Sequence, residues 1–459
     1  MTKYLIIGNS AGAVGALEAI KKVDSKGSCA VVSEEPYVAY SRPAIVEYLM
    51  GERAFDQRMH YRDQDYYVRN GIEAHLGVRA TRLNLEQRQV ELSDGRKLEY
   101  EKLLLATGGQ PIVPRMEGLE LQGIYPFITI EHARKLDEAL KVGAKRVVVI
   151  GGGLIGCSLT HALAKRGGVE VVVVELLDHI LTTMTDTHGS ELVEARLKEL
   201  GVRVMTGRRV TGIFPSASDA KHAGGVTLEN GERVEADLVG MAVGVSPRLE
   251  LARGTAVVTN RGIVVDRHME TSVPGVYACG DVAEAYDFIF DTNRVVAIWP
   301  NAYIGGRIAG FNMAGELREY DGCTVMNAFS YFGIAMASAG MFNPAPDAGC
   351  EALSQASPRS EPGASGPVYK KMVLRQGRIV GFILMEEIEQ AGVLFSLMRS
   401  RTDVASFKDK LLSKGFGLVS LPKAVRDSLI WGDSAHMPGA RLEAGRKARA
   451  AVAEEAAGE

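Results

Sequence analysis

The chain is poor in paired cysteines, in proline and in net charge. Its five cysteines, Cys29, Cys157, Cys279, Cys323 and Cys350, are scattered, with no CxxC pair and no metal-ligand spacing. That argues against a cluster or zinc centre held by this chain alone, so no metal site is expected. An odd, dispersed set without a secretory leader reads as reduced, buried thiols in a cytoplasmic protein. The 53 Lys plus Arg nearly cancel 56 Asp plus Glu, which leaves no single-sign field to attract nucleic acid. Only 16 prolines stand against 51 glycines, a balance that excludes a proline-rich disordered chain and points to many tight backbone approaches. At 459 residues the chain exceeds one hydrophobic core, and roughly 150 residues per domain suggests about three units.

Two apolar stretches mimic membrane signals, one from the N-terminus through Ile20 and one from Val147 to Ala164. Glycine clusters break both where a strand, a loop and a helix account for them better, so no membrane span is expected.

One pattern then occurs twice: a short apolar strand, a glycine loop, a helix, a second strand and a terminal Glu. YLIIG runs into NSAGAVGALEAIKK and CAVVSEE from Tyr4, and VVVIG runs into GGLIGCSLTHALAKRG and VEVVVVE from Val147. Each copy has the roughly 30-residue length of a strand-helix-strand unit. RQVELSDGRKLEYEKLLLATG, around 88–108, and GVTLENGERVEADLVGMAVG, around 225–244, look like antiparallel ribbons turning at DG and NG. Residues 343–367, rich in Pro, Ala, Ser and Gly, read as a flexible loop, and the segment from Gly432 reads as a helical or frayed tail.

In the first loop Gly8, Ser10 and Ala13 stand where G-x-G-x-x-G would place glycines, with Gly12 between. Small residues there, Ser10 and Ala11 included, let the backbone approach a pyrophosphate at the positive end of the following helix. Ser10 adds a hydroxyl donor. Glu34, at the end of the second strand, is placed to accept from a ribose, with Glu35 as the alternative. In the second loop Gly151, Gly153 and Gly156 match the fingerprint fully, and Leu154 and Ile155 supply further backbone to the helix start. Glu175 closes the next strand and is followed by Leu176–Leu177, so it suits a ribose 2′-hydroxyl and repels a 2′-phosphate, which favours NADH over NADPH. Two remote segments, LLLATGGQP at 103–111 and TSVPGVYACGDVAE at 271–284, each run a strand into a small-residue turn. In the second, Asp281 after Gly280 can face flavin ribityl hydroxyls or cap a helix.

With its ATG and YACGD segments around a second dinucleotide fold, the chain resembles the pyridine-nucleotide-dependent flavoprotein reductases of the disulfide oxidoreductase family. The resemblance implies an α/β protein with two Rossmann-like domains, the NAD domain (116–244) inserted in the FAD domain (1–115 and 245–320). A C-terminal α+β interface domain (321–432) and a tail (433–459) follow. It implies FAD contacts at Thr107, Gly108, Gly280 and Asp281, and an NAD-domain return through MAVGVSPR that includes Gly244.

The family's disulfide reductases carry a cysteine pair after the first unit, and its peroxidase branches carry one cysteine. Here the stretch is EEPYVAYSRPAIVEYL, with neither. It resembles rubredoxin reductase, ferredoxin reductases and the nitrite reductase flavin domain, which implies that Arg42 and Pro43 lie at the FAD. Relatives place a Lys–Glu pair near the flavin's reactive edge at positions matched by Glu47 and Ser158, the candidate catalytic residues. Trp299 in WPNA fits the segment closing over the flavin, or a packed core tryptophan. The C-terminal third is similar to the nitrite reductase branch and to NAD-coupling flavoprotein subunits, such as those of phenylglyoxylate dehydrogenase and tungsten aldehyde oxidoreductase complexes. The implied activity is hydride exchange between NAD(H) and FAD, with single electrons passed to or from a ferredoxin-like iron–sulfur partner in a hetero-oligomer. A stand-alone NADH oxidase producing hydrogen peroxide and a redox-responsive flavin binding module are the alternatives.

Overall fold

The computed structural model describes residues 1–56, 58–357 and 367–431. They fall into two compact units, the first Met1–Gly333 and the second from Ile334.

The first unit opens with β1 (Thr2–Ile7), α1 (Ala11–Val23) and β2 (Cys29–Ser33), whose strands are apolar along nearly their whole length because both sheet faces are covered. A short helix α2 (Ile45–Met50) precedes β3 (Ile72–Leu76) and the long β4 (Lys97–Leu105). The order β3-β2-β1-β4 is parallel throughout. The expected ribbon at 88–108 is a ribbon only in its first half. Lys97–Glu99 pairs antiparallel with Gln89–Glu91, whereas Tyr100–Leu105, whose last three residues are fully buried, runs parallel to β1.

The chain then enters a second parallel sheet with β5 (Ile124–Pro126), α3 (Ile130–Lys141), β6 (Arg146–Ile150), α4 (Leu154–Arg166), β7 (Glu170–Val174), α5 (Thr187–Glu199), β8 (Arg203–Met205) and β9 (Leu238–Met241). Its order is β8-β7-β6-β9-β5. The ribbon expected at 225–244 likewise divides. Ala223–Leu228 and Arg233–Glu235 form the hairpin around Gly231, and the buried β9 leaves it to join the parallel sheet beside β6. Hydrophobic alternation is local, and it does not show that one strand has two partners on different sheets.

The return to the first sheet is made by β10 (Val276–Ala278), parallel to β4, and α6 (Trp299–Met313). α1 and α6 touch backbone to backbone. A Cβ at Gly306 would lie 2.0 Å from the Gly12 carbonyl oxygen, and one at Gly310 would lie 2.4 Å from that of Ala16. The strand β11 (Met326–Tyr331) is the last of this unit, which runs to Gly333.

The second unit contains the antiparallel strands β12 (Ile334–Gly340), β13 (Cys350–Ser357), β14 (Val368–Arg375) and β15 (Arg378–Met385) in the order β12-β15-β14-β13, covered by α7 (Ala391–Arg399). Part of the expected loop at 343–367 is therefore a strand, since Cys350–Ser357 pairs with β14 along its whole length. Its composition is polar and small because it is an edge strand, so it carries no apolar signal. Residues 358–366 and the tail from Gly432 lie outside the described residues. Among the described residues no helix is long and apolar enough to cross a membrane.

Candidate active site

Strand register builds both loops. Ile7 pairs with Val32 and Leu105, and Leu105 pairs with Ala278. The carboxyl ends of three strands thus align, and the segments from Gly8, Ala106 and Cys279 leave the sheet side by side, where open α/β sheets bind ligands. The second sheet repeats this, with Ile150 opposite Val174 and Met241. Even the stitching is repeated: the Gly8 N–H donates to the Val32 carbonyl and the Gly151 N–H to the Val174 carbonyl, each at 2.8 Å.

In the first loop Gly8 has φ +121°, and a Cβ there would come within 2.0 Å of the Ala106 oxygen. Ser10 caps α1 through its backbone while its hydroxyl makes no capping bond, and Ala11 is buried at the helix start. The first-turn amides point outward without an intrahelical acceptor, the donor set a pyrophosphate needs.

The flanking side chains are more engaged than the sequence indicates. Glu34, expected to accept from a ribose, receives Arg248 Nη1 at 2.6 Å. Glu35 accepts from the Tyr40 hydroxyl at 2.5 Å and forms an ion pair with Arg42, whose other nitrogen donates to the Ile128 carbonyl at 3.2 Å. Arg42 therefore rests on Glu35. It still acts on Asp281: burial pushes that carboxyl up, and the Arg42 charge opposes the shift. Asp281 sits in the single turn Gly280–Val282, with Gly280 at φ +75°. The Thr107 hydroxyl donates to the Arg248 carbonyl at 3.1 Å, and the Arg248 N–H donates to the Gly108 carbonyl at 3.0 Å, binding the first small-residue turn to the end of the MAVGVSPR segment. Trp299 opens α6 half-buried, edge-on to Tyr61 at 5.0 Å, so it is not a core tryptophan.

In the second loop Gly151 (φ +102°) and Gly156 are imposed by packing. Their Cβ atoms would lie 2.4 Å from the Ala242 oxygen and 1.8 Å from the Gly151 oxygen. Gly153 differs: it caps α4, and a Cβ there would meet no protein atom within 4 Å. The cradle over Leu154 and Ile155 is open where a phosphate must come close, which fits a bound dinucleotide. Glu175 accepts the Gly152 N–H at 2.5 Å and the Leu177 N–H at 2.7 Å, so its carboxylate is braced by the loop it serves. Gly244 (φ +106°) accepts from the Ile112 N–H where the two lobes rejoin.

Glu47 and Ser158 are each engaged locally. Glu47 pairs with Arg53, and the Ser158 hydroxyl donates to the Ile155 carbonyl at 2.8 Å. Beside them a cavity of about 400 Å³ opens between α2 and α4, with Pro43, Val46 and Glu47 on one wall, His161 and Lys165 on the other, and Tyr331 at the side. Sequence reasoning passed over His161, Tyr331, Arg248 and Asn9; Asn9 holds the first loop by donating to the Tyr37 carbonyl and accepting from Tyr67. Asn9, His161 and Arg248 lie inside segments that the sequence singles out, but their roles depend on remote partners that no spacing shows.

Neither loop has a thiolate. Cys279 packs against Gly12, and burial pushes its thiol up to about 12. Burial likewise raises Cys157, under the second loop, far above the ordinary thiol range.

Two glycine loops, each on its own parallel sheet, with no ionised thiol at either, define an NAD(H)-linked flavoprotein oxidoreductase using FAD and NAD. The chain belongs to the pyridine nucleotide-disulphide oxidoreductase family, whose sequence model matches residues 2–306. It is 32% identical over 414 residues to the NADH-dependent phenylglyoxylate dehydrogenase subunit epsilon of Aromatoleum evansii, covering 90% of this chain and 95% of that one. It is 30% identical over 311 residues to rubredoxin-NAD(+) reductase of Pseudomonas putida, covering 68% and 80%. Among solved structures it resembles an NAD-dependent persulfide reductase from A. fulgidus, with a TM-score of 0.80, 27% identity, and 88% and 78% of the two chains covered.

Proposed function

We propose that this chain takes hydride from NADH, or returns it, and passes single electrons to or from an iron–sulfur protein as one subunit of a larger cytoplasmic redox complex. The observation that carries this reading is the pairing of two glycine loops, each at the carboxyl end of a parallel sheet, with buried, protonated cysteines, which leaves no thiol there to relay electrons. Bound FAD supplies the junction between two-electron and one-electron chemistry. The relative named as a dehydrogenase subunit, matched along nearly its full length, supports the subunit role. Rubredoxin and putidaredoxin reductases among the relatives support a small redox protein as partner.

The chain's own residues divide the binding between them. The amides after Gly8, Ser10 and Ala11 hold the FAD pyrophosphate, while Glu34, Arg42, Pro43, Thr107, Gly108, Gly280, Asp281 and Trp299 surround the rest. The amides of Gly153, Leu154 and Ile155 hold the NAD pyrophosphate, and Gly151, Gly156 and Gly244 let the loops close around it. Glu175, with Leu176 and Leu177 beyond it, selects the ribose without a 2′-phosphate. Glu47 lines the approach between α2 and α4, and the buried Ser158 stands on α4 three residues before His161.

The test is anaerobic addition of NADH to the flavin-loaded chain, followed by ferredoxin or oxygen as acceptor. Flavin bleaching by NADH and faster reoxidation by ferredoxin are expected. Rapid turnover with oxygen alone would make it an oxidase, and no bleaching would end the proposal.

A further inference from the structure

The turn Phe332–Gly333 lies outside both nucleotide loops, as the two-residue connection between β11 and β12, where positive φ at both residues is the turn's own geometry. Phe332 has φ +58° and Gly333 φ +78°, and the Phe332 side chain is buried. A bulky residue keeps a left-handed conformation only where its surroundings impose it. Beyond the turn itself, two helices of the NAD lobe fasten Phe332: its N–H donates to His161 Nδ1 at 3.1 Å, and Arg196 Nε of α5 donates to its carbonyl at 2.9 Å.

An imidazole that accepts at Nδ1 while neutral carries its proton on Nε2. Its ring lies tilted against Tyr331, with centroids 5.1 Å apart, and edge-on to Phe332 at 5.4 Å; Tyr331 in turn stacks on Phe329 at 4.6 Å. His161 and Tyr331 both face the cavity shared with Glu47.

We propose that His161 is a positioning residue of the hydride cleft: as the neutral imidazole it fastens the Phe332 turn, and through it the Tyr331 ring, to the helix that opens with the NAD loop. This rests on reading the cavity between α2 and α4 as the approach between the two cofactors. The charged or ionisable groups around the imidazole are Lys165 on its own helix, Glu47 on α2, Glu52 just after it, Arg196 on α5 and Tyr331. Burial and then Lys165 hold His161 below the usual imidazole range, and Glu52 opposes them weakly. The Tyr331 phenol, pushed up to about 12 by burial, stays neutral. Protonation of His161 would set an N–H against the Phe332 N–H. The clamp therefore holds at neutral pH and opens as pH falls through the lowered value.

The full-length, flavin-loaded protein is compared with His161→Asn, which offers a non-titrating acceptor, and with His161→Leu, which offers none. Hydrogen-exchange protection at Phe332, corrected for intrinsic rates, should drop at least about fivefold in His161→Leu at neutral pH. It should drop similarly in the wild type on acidification, and hold across pH in His161→Asn. The limiting rate of anaerobic flavin bleaching by NADH should follow the same pattern, with NADH affinity unchanged. Wild-type protection in His161→Leu, or a pH-independent wild type, overturns the clamp. Lost protection with unaltered bleaching overturns the positioning role. Should His161→Leu fail to fold, the wild-type and His161→Asn pH series decides alone. A wild type that NADH does not bleach defeats the proposed function instead, and the exchange measurement still judges the clamp.

Discussion

Arg166 at the end of α4 places Nη1 2.5 Å from Oδ1 of the buried Asp137 on α3, and the same nitrogen donates at 2.9 Å to the Leu49 carbonyl on α2. One guanidinium thus joins α4, the helix that opens at the second glycine loop, to α3 and to the short α2 of the first sheet's lobe. With Lys165 3.4 Å from Glu52, it bridges the two lobes across the cavity.

Replacing Arg166 with Leu should lower stability by about 2 kcal/mol, because Asp137 keeps only Lys141 as a charged partner at 2.7 Å. Burial works against the Asp137 charge, but Lys141 and Arg166 outweigh it and hold the carboxyl below its ordinary range. With the folded value depressed, this stabilisation is present above the unfolded carboxyl range and is lost as pH falls through the folded value. Urea unfolding read by flavin fluorescence at neutral and acid pH measures both effects.

Gly153→Ala and Gly156→Ala should separate binding from folding. The added methyl at 153 meets no protein atom, so stability should be retained while the NADH KM rises about tenfold or more, about 1.4 kcal/mol of binding. The methyl at 156 would overlap the Gly151 oxygen and should cost about 1–3 kcal/mol of stability. Thermal unfolding alongside steady-state kinetics distinguishes the two; equal stability losses would refute the distinction.

Glu175→Ala should reduce the preference for NADH over NADPH by about tenfold, about 1.4 kcal/mol, by removing both a ribose acceptor and the repulsion of a 2′-phosphate. It also frees the Gly152 and Leu177 amides, so the NADH KM should rise as well. The ratio of kcat/KM values for the two coenzymes reads the outcome.

The cysteines should stay silent during reduction. Cys29, Cys157, Cys279 and Cys323 are buried and Cys350 is half-buried, so alkylation of the folded protein should mark Cys350 first. Anaerobic NADH should bleach the flavin without exposing a new thiol. Mass mapping of alkylated peptides before and after reduction checks this; a reduction-dependent label on Cys279 would restore a thiol relay.

Some of this was legible early because it is written in short range. Gly8 and Gly151 need positive φ and a close neighbouring backbone within units of about 30 residues, so the two nucleotide folds follow from local pattern alone. Ribbon ends were misread where β4 and β9 change partners, since a period-two pattern does not name the neighbouring strand. The strand Cys350–Ser357 was missed because an edge position needs no apolar run.

By itself the sequence determined the class: two strand–glycine–helix units, an acidic residue closing each, and no cysteine where a thiol relay would stand. Only the tertiary structure decided what those side chains touch. Glu34 meets Arg248 across 214 residues of chain, Arg42 settles on Glu35, Glu47 turns to Arg53, and His161 takes the backbone of Phe332. The physical reason is that a glycine loop is specified by backbone sterics within a few residues. A carboxylate or imidazole is instead satisfied by whichever donor the packed lobes bring within about 3 Å, and no spacing in the chain encodes that distance.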